Sequence, residues 1–138
     1  MGRMLHCAVR VDGKDFENFG SDEFIHTTQM VDLVLNDGDD ARPLPVGPFK
    51  WGGECRVEVH LEAIANDKGT VNMFGFTSFF EGSSEDTPDE RDREVLNFLV
   101  PKTTQANPNP TVVAAHMQSG DDFADVVLTI TNGFLEEE

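Results

Sequence analysis

The sequence predicts an all-β fold, an antiparallel two-sheet β-sandwich with no substantial helix, and three observations carry that prediction. Apolar side chains recur at every second position through about seven segments. Stretches rich in Gly, Asn, Asp and Pro separate those segments, as hairpin and loop connections require. No segment of helical length repeats its apolar residues at the 3.6-residue helical period. The one helix-like opening, Thr87-Pro88-Asp89-Glu90 leading to Arg93, is short enough to be a turn or two inside a loop. Segment lengths and connections are uneven, which favours a sandwich, of jelly-roll or immunoglobulin/C2-like type, over a closed barrel.

The segments follow in chain order. In the first, Leu5, Cys7, Val9 and Val11 alternate with His6, Ala8 and Arg10. The second, Phe24 to Leu35, sets Ile25, Val31, Leu33 and Leu35 on one side, with Thr27 and Gln29 interrupting the pattern. A long connection, Asn36 to Gly53, then carries Pro43, Pro45, Pro48 and the only tryptophan, Trp51. Glu54 to Ala65 has the clearest alternation: Cys55, Val57, Val59, Leu61, Ala63 and Ala65 against Arg56, Glu58, His60 and Glu62. The turn Asn66-Asp67-Lys68-Gly69 joins it to Thr70–Phe80, and together they predict a hairpin. That second arm has Phe74, Phe76 and Phe80 on one parity and Val71, Met73 and Phe79 on the other. Both its faces are therefore apolar, as in a covered central strand bulged near Gly75, or in a strand that offers one face to a partner or a second copy. Glu94–Val100 ends at Pro101, and Asn107-Pro108-Asn109-Pro110 precedes Thr111–Gln118. The last segment, Asp122 to Asn132, alternates Ala124, Val126, Leu128 and Ile130 with Asp125, Val127, Thr129 and Thr131. The organisation expected is one domain over residues 1–135 with an acidic tail, Glu136–Glu138.

Charge sets the chain apart. Its 138 residues carry 26 Asp+Glu and 10 Lys+Arg, a net charge of −16. Such a surface repels nucleic acid, and it approaches anionic membranes or glycans only if calcium intervenes. If the chain runs strictly up and down, and Asn36–Gly53 is one connection, then that connection, Glu81–Arg93 and Ser119–Asp122 share one end with a net charge of −7. The other end, with Asp12–Asp22, Asn66–Gly69 and Pro101–Pro110, has −2. Calcium takes six to eight oxygens from flexible loops, so the metal candidates are Asp37, Asp39 and Asp40, Glu85, Asp86 and Asp89, and Asp121, Asp122 and Asp125. The spacing is not that of an EF-hand. The same carboxylates also read as solvated loop charge, as adaptation to high salt, or as a docking face for a basic partner of the kind inhibitor and immunity proteins use.

Catalytic signatures are missing. Gly82-Ser83-Ser84 is not a nucleophile elbow, the four histidines lack metal-ligand spacing, and no phosphate-binding glycine motif occurs. Cys7 and Cys55 read as two reduced, buried thiols rather than a disulfide. Residues Met1–Cys7 show no signal-peptide pattern and no stretch could span a bilayer, so the chain reads as soluble and, by default, cytoplasmic. Eleven Phe, one Trp and no Tyr argue against an aromatic glycan platform. Trp51, Phe74, Phe76 and Phe80 are the candidate partner contacts. The expectation is a non-catalytic interaction or assembly module that needs no cofactor. It would act on a protein partner or a second copy through loops at one pole or an apolar strand face. A calcium-dependent membrane or glycan module and an acidic inhibitor of a basic protein are the alternatives.

Overall fold

A computed structural model describes residues 2–134; the acidic tail Glu136–Glu138 lies outside them. Among the described residues nine strands follow one another: β1 Gly2–Asp15, β2 Glu23–Asn36, β3 Arg42–Pro43, β4 Phe49–Trp51, β5 Cys55–Ala65, β6 Val71–Glu81, β7 Glu90–Val100, β8 Thr111–Ser119 and β9 Asp122–Phe134. All pairings are antiparallel, and they build two sheets that pack face to face as a β-sandwich. Sheet A has the order β2-β1-β9-β8. Sheet B has β5-β6-β7, with β3 and β4 both paired to the outer edge of β5. No helix long and apolar enough to cross a membrane occurs among the described residues.

The inward parity is the one the alternation predicts. Leu5, Cys7, Val9 and Val11 of β1 and Ala124, Val126, Leu128 and Ile130 of β9 face Val57, Leu61 and Ala63 of β5 and Val71, Met73 and Phe79 of β6, all of them buried. In β2 Val31, Leu33 and Leu35 are buried in the core and Ile25, half-buried, packs against it, while the rest of the half that contains Thr27 and Gln29 is largely exposed. Cys7 and Cys55 are both buried free thiols, and burial pushes Cys7 up to about 12.

Four details differ from the sequence reading. The connection 36–53 contains two short strands, β3 and β4, which together form one broken edge. Pro43, Pro45 and Pro48 have no N–H to donate, so the ladder is interrupted between them over 44–48. Leu44 keeps a single rung, its N–H donating to the Leu61 carbonyl at 2.8 Å. The stretch Thr87–Arg93 makes no helix, and β7 starts at Glu90, its exposed charges suiting an edge strand. The bulge lies in β7, where Arg91 is the extra residue opposite the Phe79/Phe80 step of β6, rather than at Gly75. Trp51 is a core residue, 5 % exposed, stacked on Phe79 with ring centroids 5.9 Å apart, and therefore cannot meet a partner. Its indole occupies the place of a side chain at Gly13, where a Cβ would lie 2.6 Å from Cζ2.

A buried polar network closes the end of the sandwich where β9 meets β1. Arg3, 2 % exposed, donates from Nε to Asn132 Oδ1 at 2.8 Å and from Nη2 to the Asn132 carbonyl at 2.7 Å. Asn132 Nδ2 in turn donates to the carbonyls of Gly69 and Val100 at 2.8 and 3.0 Å. The two sheets meet along two seams without a ladder. At one, Gly47 N–H donates to Gln29 Oε1 and Arg42 Nη1 to the Val34 carbonyl. At the other, Gln118 N–H donates to Asp92 Oδ2 at 2.9 Å.

Candidate functional site

The extra edge strand changes which loops share a pole. Loops 16–22, 52–54, 82–89 and 120–121 lie together and carry seven carboxylates with no Lys or Arg. The opposite pole gathers 37–41, 66–70 and 101–110, with four carboxylates against Lys68 and Lys102. Asp37, Asp39 and Asp40 therefore stand apart from the other predicted metal candidates. Asp39 accepts the Asn36 N–H at 3.2 Å. At the acidic pole Glu85 accepts the Gly53 N–H at 3.1 Å, and Asp86 pairs with Lys50 at 2.8 Å. Asp122, only 8 % exposed, accepts the Phe16 N–H at 2.6 Å. Asp89 and Asp121 are exposed in their loops.

Asp125 faces outward from sheet A, where one row crosses all four strands in register: His116, Asp125, Asp12 and His26. His116 Nδ1 meets Asp125 Oδ1, and His26 Nδ1 lies 2.7 Å from Asp12 Oδ1. The hydrogen bond to Asp125 raises His116 above the ordinary histidine value of 6.5. A ring-proton NMR titration is expected to show that elevation, and Asp125→Asn to abolish it. The stabilisation is complete below the unfolded pKa and is lost as pH rises through the elevated one; both groups are solvent-exposed, so it amounts to about a few tenths of a kcal/mol.

What does converge at the acidic pole is a set the sequence reading passed over. Asp15 ends β1 at 2 % exposure, Cys55 opens β5 at 0 %, and Glu81 ends β6 directly opposite Cys55 in the ladder. One donor atom from each lies within 4.8 Å of the other two, and the same holds for Asp15, Glu17 and Glu54. Burial, then the charges of Glu17, Asp122 and Glu54 and a side-chain hydrogen bond with Glu17, push the Asp15 carboxyl up to about 7. Burial and the surrounding carboxylates, Asp15 first, also push the Cys55 thiol upward.

The second surface is a groove of about 960 Å³ on the outer face of sheet B. Phe74 and Phe76 of β6, the segment Pro43–Pro48, and the polar Glu58, His60 and Glu62 of β5 line it. His60 packs on Phe76 with centroids 5.0 Å apart and places Nε2 2.7 Å from Glu58 Oε1; Arg56 Nε donates to Glu58 Oε2 at 2.7 Å. Burial opposes the Glu58 charge, yet these two hydrogen bonds hold its carboxyl below the usual range. The Arg93 guanidinium lies over Phe76 at 4.0 Å and is forked onto Glu90. Beyond Phe76 the neighbouring strand β7 exposes Val95, in register with it, and Leu99, at 75 % and 62 %. Phe80 sits farther along the same face beneath Arg56, whose Cζ is 4.1 Å from the ring and whose Nη atoms donate to the carbonyls of Glu85 and Thr87. Of the predicted contacts, then, Phe74 and Phe76 line the groove, Phe76 and Phe80 each carry an arginine over the ring, and Trp51 is internal. No family model, curated protein or solved structure matches this chain, which leaves these two surfaces to speak for its function.

Proposed function

We propose that this chain is a non-catalytic interaction module that holds a protein partner in the groove of sheet B. The partner presents an apolar side chain flanked by Lys or Arg. The observation that carries this reading is the outward display of Phe74 and Phe76 in a groove of about 960 Å³, where a solvated sheet face would ordinarily be polar. Apolar burial on those rings supplies affinity, and Val95 and Leu99 extend the contact area. Charge selects the partner's sign. Glu58 and Glu62 border the groove, the nearby Arg56 and Arg93 are each committed to a carboxylate, and the whole chain carries −16. An approaching basic surface is steered in, the more strongly the lower the ionic strength.

The test is fluorescence polarisation with labelled peptides that combine Arg with Leu or Phe, and with counterparts in which Glu replaces Arg. The basic apolar peptides are expected to bind. Binding should weaken roughly tenfold or more in Phe76→Ser, a change of about 1.4 kcal/mol or more, and should fall as salt rises. Equal binding of the acidic set, or affinity unchanged in both Phe74→Ser and Phe76→Ser, would sink the proposal. A concentration-dependent dimer that disappears in Phe76→Ser would replace the partner by a second copy.

A further inference from the structure

We infer that Asp15, Cys55 and Glu81 form a binding site for a borderline divalent cation of the zinc type, set just below the acidic pole. The inference is independent of the groove, because it uses none of the groove's residues. The three donors come from different strand ends: Cys55 and Glu81 face each other across the β5–β6 ladder of sheet B, and Asp15 reaches them from β1 of sheet A. Their donor atoms lie within 4.8 Å of one another. Ligands about 2.0–2.3 Å from one tetrahedral zinc ion are themselves about 3.3–3.8 Å apart, so a set within 4.8 Å closes onto one ion with a contraction of about 1 Å.

A second observation points to a ligand at this place. Asp15 Oδ2 is completely buried, in a residue 2 % exposed, and has no hydrogen-bond partner; Glu81 Oε2 is buried and unpartnered as well. Buried carboxylate oxygens are normally satisfied by a donor or a cation. Two carboxyl groups that each keep a buried, unsatisfied oxygen, in residues whose donor atoms converge, leave a cation as the natural partner under loops that hold no Lys or Arg. The sulfur decides which cation. Calcium and magnesium take oxygen ligands in sets of six or more, whereas one thiolate with two carboxylates suits zinc and its neighbours. Three protein ligands leave a fourth position for water. Glu17 and Glu54, which group with the same Asp15, add negative potential beside the site. On binding, Cys55 gives up its thiol proton to solvent as the metal–sulfur bond forms.

Metal-free protein titrated with Zn²⁺ and with Co²⁺ tests this. One ion per chain is expected, with proton release detected by calorimetry in two buffers. A thiolate-to-cobalt absorption band should appear in the wild type and in Cys7→Ala and be missing from Cys55→Ser. Glu81→Gln should weaken Zn²⁺ at least about tenfold, since even residues behind the ligands cost that much. A hundredfold excess over Kd should raise the melting temperature by roughly 5–10 °C. Should Cys55→Ser fail to fold, Glu81→Gln, altered only at a partly exposed strand end, still decides the matter. The inference is overturned if neither ion binds at millimolar concentration, if cobalt binds without the thiolate band, or if Ca²⁺ stabilises the protein as much as Zn²⁺.

Discussion

Gly75→Ala will remove most of the stability of this protein, a loss of roughly 3–5 kcal/mol seen as a large drop in the urea midpoint. Gly75 sits in the middle of β6 at φ +147°, a backbone conformation that L side chains rarely adopt. That conformation turns a Cβ sideways into β5, where it would lie 1.9 Å from the His60 carbonyl oxygen and 2.9 Å from its carbon. Both obstacles are backbone in a ladder, so neither can swing aside. To admit a methyl group the β5–β6 pairing must open where Leu61 and Gly75 meet, between the Phe74 and Phe76 rungs. Gly133→Ala is the matched control, since a Cβ there meets nothing within 4 Å. Its midpoint should stay close to wild type, and comparable midpoints for the two variants would refute the argument.

Asn132→Ala should cost about 4 kcal/mol, although it deletes a small side chain. The Asn132 amide, 0 % exposed, receives Arg3 Nε and supplies both hydrogens to the carbonyls of Gly69 and Val100. Truncation orphans Arg3 Nε and the two carbonyls, and an unpaired buried group loses its full hydration, a cost greatest at the buried Val100 and Arg3. The double variant Arg3→Met/Asn132→Leu is expected to be less damaging than the two single changes summed, because it removes a donor and its acceptor together. Strict additivity of the equilibrium unfolding energies would show that the pair is not coupled.

These expectations show where the sequence speaks and where it stops. Period-two alternation places every core residue of β1, β5 and β9 correctly, since a half-buried strand leaves that mark wherever it lies. The turn 66–70 even fixes the β5–β6 register, which puts Cys55 opposite Glu81. Asp15 could not be added to that pair from sequence alone: it arrives from the other sheet, and only the packing of one sheet on the other brings it there. The edge strands β3 and β4 were hidden because three prolines disguise a broken strand as a loop. That single omission moves Asp37, Asp39 and Asp40 to the wrong pole. The parity of Phe74 and Phe76 is visible in the sequence, but the groove around them depends on where the irregular segment 44–48 runs beside β5, which no periodicity encodes.

The two seams have a consequence for behaviour in a crowded solution. An ordinary sandwich offers four strand borders to other chains, each a template for intermolecular β-pairing and growth into fibres. Here the borders face each other in couples, β2 toward β4 and β7 toward β8. Gln29 and Asp92 use their side-chain oxygens to occupy amides of Gly47 and Gln118 that would otherwise be available for such pairing. The molecule is in effect a meander rolled up and slit along two lines, with polar side chains stitched across each slit. Its aggregation resistance therefore rests on a few stitches as well as on its charge.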